Sequence, residues 1–157
     1  MTKSKRRINE NCRAVIRACL NIVEENGDTY VAIHKDDDIE CVVLVSIIRT
    51  YPILSVVVAD KILFAQENAD AMYRAANELN TESVTGWHSI MLSDSSNIYM
   101  YRQCIWANAQ LNRDYLMEIL LNCISEYKLG RAHLSSALHK EESSSQRPHY
   151  SYEGGQR

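Results

Sequence analysis

Three consecutive aspartates, Asp36-Asp37-Asp38, are the densest group of chemically competent side chains in the chain, and carboxylates so close together can hold a hard cation. Their surroundings argue otherwise. An EF-hand loop would place glycine where Cys41 stands and glutamate where Ile47 stands, and helices rather than β-branched runs would flank it. The triplet reads as a solvated hairpin turn. The histidines, His34, His88, His133, His139 and His149, form no H-x-x-x-H or H-E-x-x-H pair, so they read as surface or partner-contact residues rather than ligands. Gly86-Trp87-His88-Ser89 is not a nucleophile elbow, because its serine falls within a strand-like run. Glycines 27, 86, 130, 154 and 155 make no phosphate-cradling loop ahead of a helix. No metal, cofactor or nucleotide-hydrolysis site is expected.

The cysteines are Cys12, Cys19, Cys41, Cys104 and Cys123. They are odd in number, far apart and set in apolar patterns, with no C-x-x-C pair, which fits reduced thiols in a cytoplasmic core better than a disulfide framework or zinc site. Cys104 alone has a chemically suggestive neighbour. Arg102 lies two residues away, on the same side of a strand, where a guanidinium would lower a thiol pKa. A small buried hydrophobe is the preferred reading of Cys104, and no catalytic residue is assigned.

Charge and hydropathy narrow the partners. A formal net charge of −3 with scattered Lys and Arg does not suit nucleic acid, and no apolar run approaches the ~18 residues that span a bilayer. Only Lys3, Lys5, Arg6 and Arg7 cluster, and residues 1–7 are expected to be a flexible basic end. The polar Ile8-Asn9-Glu10-Asn11-Cys12-Arg13 that follows is not the apolar core of a signal peptide, so a cytoplasmic protein is expected.

The elements that would carry these residues are legible from periodicity. Ile8, Cys12, Val15, Ile16, Cys19, Leu20 and Val23 fall at helical spacing and predict a helix over about 8–25, closed by Gly27. Residues 29–58 are crowded with Val, Ile and Tyr and interrupted near Asp36 and Pro52, which predicts three antiparallel strands. The middle one, Cys41 to Ile48, is apolar at nearly every position, so both its faces must be covered. Residues 67–79 form a short amphipathic helix ended by polar residues from Asn80; residues 62–65 are ambiguous between extended and helix-docking chain. Residues 87–93 and 98–106 flank the polar Asp94-Ser95-Ser96-Asn97 as a hairpin. A long helix begins near the N-cap candidate Asn112, with Gly130 marking an end or kink and 131–142 a further helical piece. From Ser143 to Arg157 the Ser-rich composition predicts disorder. A single α+β domain over 8–142 is expected, its five-stranded antiparallel sheet arising from the order α-β-β-β-α-β-β-α.

That order, with the apolar middle strand, the sequence Ala76-Asn77-Glu78-Leu79-Asn80 ending the second helix, and a Trp87 to Trp106 hairpin feeding a long amphipathic helix, resembles the YbjN family of candidate bacterial sensory transduction regulators. The resemblance covers roughly Ile8 to Leu134. It implies the fold of type III secretion chaperones and points to Asn77 and Asn80 as the family's N-x-x-N positions. Amides there commonly satisfy the last carbonyls of a helix or take a left-handed turn. The expected function is non-enzymatic: a chaperone-like or regulatory protein that binds a polypeptide partner and acts as a homodimer, with Val43, Leu44, Val45, Tyr99 and Tyr101 as its interaction surface. A small-molecule or redox-responsive sensor is the alternative, and a cysteine-dependent enzyme the third reading.

Overall fold

The computed structural model describes residues 3–48, 50–92, 96–108 and 111–145. Helix α1 (Lys3–Cys19) leads into strands β1 (Ile22–Asn26), β2 (Thr29–Lys35), β3 (Glu40–Ile48) and β4 (Ile53–Ile62). A 3-10 turn, Gln66–Asn68, then opens helix α2 (Ala69–Glu82), and β5 (Gly86–Met91), β6 (Asn97–Trp106) and α3 (Arg113–Ser145) complete the chain. All strand pairs are antiparallel, in the spatial order β1-β2-β3-β4-β6-β5.

The sheet therefore has six strands, not five. The extra one is β1, formed by the last turn of the segment expected to be helical. Ile22 and Val23 favour extended chain, and the turn decides the outcome: Gly27 takes a φ of 64°, and a two-residue Gly27-Asp28 loop closes the Asn26–Thr29 pair. A left-handed glycine closing a helix and one opening a hairpin look alike in sequence. At the other end α1 starts at Lys3, inside the stretch expected to be flexible.

Strand β4 runs to Ile62, which resolves the ambiguous 62–65 segment as extended chain followed by a short connection. Helix α3 is continuous for 33 residues and passes through Gly130 without ending. Its start is as expected, with the Asn112 carboxamide oxygen accepting from the Tyr115 N–H at 2.9 Å. The predicted tail begins within α3, which extends to Ser145; residues 146–157 lie outside the described residues, as do Ser93, Asp94 and Ser95 of the hairpin connector.

Alternation along each strand sorts side chains to two faces. Tyr30 and Ala32 of β2, Cys41, Val43, Val45 and Ile47 of β3, Leu54, Val56 and Val58 of β4 and Tyr99, Tyr101 and Ile105 of β6 are buried beneath the helices. Against them pack Cys12 and Ile16 of α1, Met72, Ala75 and Ala76 of α2, and Leu116, Leu120, Cys123, Tyr127 and Leu134 of α3. All three helices serve this one face.

Candidate functional site

The face away from the helices follows from register. Five rows cross the strands. One holds Ile48, Ile53 and Trp106; the next Thr29, Ser46, Ser55 and Cys104; the third Glu24, Val31, Leu44, Val57, Arg102 and Trp87; the fourth Ile33, Val42, Ala59, Met100 and Ser89; the last, broken beyond the end of the β3–β4 pairing, Lys35 with Glu40 and Lys61 with Ile98 and Met91. The helices pack on the opposite face, and only at one end, beside Cys104 and Trp106, do Asn108, Asn112 and Tyr115 come alongside. Trp106 is 66% exposed and Ile33 53%, and Trp87 and Met91 are exposed as well. Between these exposed residues Val31, Val42, Leu44, Val57 and Met100 are half-buried, while Ser55 and Ala59 at the centre are buried by their sheet neighbours, so the face is apolar with its largest side chains exposed toward the periphery.

Polar groups on this face are few and specifically held. Thr29 and Ser46 share a hydroxyl hydrogen bond of 3.0 Å. Arg102 Nε donates to Ser55 Oγ at 2.9 Å, and the guanidinium lies 5.3 Å from the Trp87 ring centroid, in cation-π range. Among the described residues Arg102 meets no carboxylate. A half-buried cation on an apolar surface is thus oriented by two neutral neighbours while its charge stays uncompensated.

Only one of the residues expected to form an interaction surface has that placement. Leu44 sits half-buried on the open face, whereas Val43 and Val45 are 2% and 0% exposed and Tyr99 and Tyr101 are equally enclosed. Those four belong to the helix-covered core and have no side chain to offer a partner. Tyr99, Tyr101, Gln103 and Ile105 alternate onto one side of β6, and that side is the helix-covered one. The tyrosines are accommodated because each hydroxyl finds a mate: Tyr99 with His88 Nδ1 at 2.6 Å, Tyr101 with the Thr85 hydroxyl at 2.9 Å.

His88, expected at the surface, is buried in that cluster, and burial pushes its pKa below the ordinary value. Glu126, at 4.0 Å and half-exposed, does not reverse this. Tyr99 is also stacked on Tyr127. Burial drives the Tyr127 hydroxyl up to about 12 and the Tyr99 hydroxyl higher still. These are neutral structural groups, not acids poised for transfer.

Asn80 does neither of the things expected of it. It lies in the last turn of α2, where its amide clamps the β5 backbone, donating to the His88 carbonyl at 2.9 Å and accepting the His88 N–H at 2.6 Å. Asn77 is exposed three residues earlier. The aspartate triplet is a turn, and one that anchors α3. Asp36 accepts the Asp38 and Ile39 N–H groups while Lys128 reaches Asp36 at 2.7 Å and Asp38 at 3.1 Å. The Lys128 hydrogen bond, with help from His34 and those N–H groups, holds the Asp36 carboxyl well below the usual range.

Burial raises the thiol pKa of Cys12 and Cys19, carries Cys41 to about 11 and Cys123 to about 12. Cys104, read as buried, is exposed on the open face. The Arg102 guanidinium that would activate it is directed to Ser55 and Trp87 instead. Among the described residues no three His, Cys, Asp or Glu side chains are grouped to hold a metal ion, and no helix is long and apolar enough to cross a membrane.

No protein-family profile matches the sequence, and no curated protein matches it. Solved structures do. YbjN from E. coli, described as a candidate transcription regulator, superposes with a TM-score of 0.59 at 8% identity over 83% of this chain and 92% of that one. An uncharacterized protein from Methanothermobacter thermautotrophicus gives 0.55 at 12% identity over 83% and 99%. Identities this low speak for fold alone, and on that level the chain is a YbjN-like α+β structure with an antiparallel sheet and three helices.

Proposed function

We propose that this chain is a non-enzymatic regulatory protein that works by binding polypeptide, and that it does so as a homodimer in which a second copy closes the open sheet face. The single observation that carries this reading is the uncovered apolar face itself. Strand residues spaced about 3.4 Å along and about 4.8 Å across occupy about 16 Å2 each, so six strands present on the order of 750 Å2. A stable interface of standard size takes about 800 Å2 per partner. The sheet is thus broad enough in plan to hold a contact of that size. Likeness to the YbjN fold, whose E. coli representative is described as a candidate transcription regulator, supports a regulatory or binding role.

Sedimentation equilibrium of the full chain across the micromolar range tests the reading. Twice the chain mass, falling to one on dilution or in Leu44→Lys, is expected; the mass of one chain at every concentration would overturn it.

One observation favours the sensor reading as second choice. Between α1 and α3, Leu20, Ala32, Val43, Met117, Leu120 and Ile124 line a largely apolar cleft of about 290 Å3, near the lower size of small-molecule sites. Saturable binding of a fluorescent apolar probe, abolished by Ala32→Phe, would support it. Probe binding that Ala32→Phe leaves intact would count against that cleft.

A further inference from the structure

We infer that the second copy packs about a twofold axis running along the strands and over β3, so that Glu24 of each copy pairs with Arg102 of the other. This rests on the proposed closure of the open face by a second copy and specifies its geometry. The central row reads, from one edge of the sheet to the other, Glu24, Val31, Leu44, Val57, Arg102, Trp87. It carries one acid near one end and one base near the other. Within a chain they are four strand spacings apart, about 19 Å, too far to pair. Neither has an ion-pair partner among the described residues.

A twofold along the strands keeps strand direction, as aligned sheet packing requires, and reverses strand order across the interface. Centred on β3 it sets Leu44 against its own copy, Val31 against Val57, and Glu24 against Arg102. Stacked sheets lie about 10 Å apart, a gap that extended arginine and glutamate side chains bridge from opposite sides. The usual rotation of up to about 30° between packed sheets moves positions two strands from the axis by only about 5 Å, within side-chain reach. The alternative twofold, along the central row, would stack Arg102 on Arg102.

Charge decides between the two. Covering Arg102 with apolar side chains or a like charge would strip its water without compensation, whereas a carboxylate from the opposite copy replaces that water. To reach the opposite carboxylate the guanidinium swings off Ser55, exchanging a neutral hydrogen-bond partner for a charged one.

Charge reversal and exchange provide the test, with circular dichroism confirming that each full-length variant is folded. Glu24→Arg and Arg102→Glu should each weaken the dimer by about 10-fold or more, and the double exchange should recover most of that loss. Since Arg102→Glu also loses the Ser55 contact, the exposed Glu24→Arg serves alone as a second measurement: its deficit relative to the unmodified chain should shrink as salt is raised. A dimer whose affinity ignores Glu24→Arg, or a double exchange no tighter than the weaker single, would overturn this geometry while leaving the dimer intact. A monomeric unmodified chain would overturn the geometry and the underlying reading together.

Discussion

Gly130 shows why side-chain absence can be a requirement at a single position. It sits inside α3, where glycine ordinarily costs about 1 kcal/mol against alanine. A Cβ there would collide with the Tyr99 hydroxyl and come within 2.8 Å of His88 Nδ1. Those two atoms are bonded to each other at 2.6 Å and are enclosed, so neither can give way. Overpacking of about 1–3 kcal/mol or more should exceed the propensity gain, and Gly130→Ala should lower the urea midpoint rather than raise it. An increase would show that the helix can lift off the sheet freely. Asn80 offers a second case. Losing both hydrogen bonds to β5 in Asn80→Ala should cost about 1–3 kcal/mol, while Asn77→Ala should stay within about 0.5 kcal/mol. Equal effects would mean that the clamp adds nothing to stability. In the sequence Asn80 was visible as a position but not as a partner, because the strand backbone it grips comes eight residues later and is brought back only by the fold.

Elements with one periodic face were legible and those decided by a turn were not. The stripe of α3, Leu116 to Tyr127, and the strands from Thr29 to Val58 follow from spacing that reports directly on a buried side. Strand β1 escaped because five residues at a sheet edge, only Ile22 of them packed against the core, leave little pattern to oppose a helix reading. The docking of α3 on β5 and β6 was equally invisible, since it depends on a histidine whose burial no local pattern signals. That docking should be pH-dependent. The groups facing His88 are Tyr99 and Tyr101 from β6 and Glu126, Gly130 and His133 from α3, and burial followed by the His133 charge depresses its pKa. The unfolded chain therefore takes up the proton first. His88 contributes its full stability above about pH 6.5 and loses it as pH falls through the folded value. Asp36, held below the usual carboxylate range, titrates well beneath that window. Urea unfolding should show lower stability at about pH 5.5 than at about pH 7.5, and His88→Gln should flatten the difference. An unchanged slope in His88→Gln would assign the dependence to other groups.

At the scale of the molecule, an apolar strand covered by its own chain on only one side is the pattern on which the proposed association rests. Cys41 to Ile48 announced in the sequence that both faces of β3 needed cover, but alternating apolar residues are symmetric, so nothing in them says which face the helices take. The helices settle it: Val43 points into the core and Leu44 onto the open face. Lysine at the two positions should therefore give opposite results. Val43→Lys places an unpaired ammonium in the interior at a cost of several kcal/mol, a large part of the ~5–15 kcal/mol that holds a domain of this size together. It should lose its cooperative thermal transition. Leu44→Lys keeps its charge at a solvated surface of the single chain, and its far-ultraviolet circular dichroism should match that of the unmodified protein while its mass falls to that of one chain. An unfolded Leu44→Lys beside a folded Val43→Lys would invert the faces. A folded Leu44→Lys that still dimerises would move the contact to a sheet edge, where β1 and β5 leave backbone donors and acceptors unpaired.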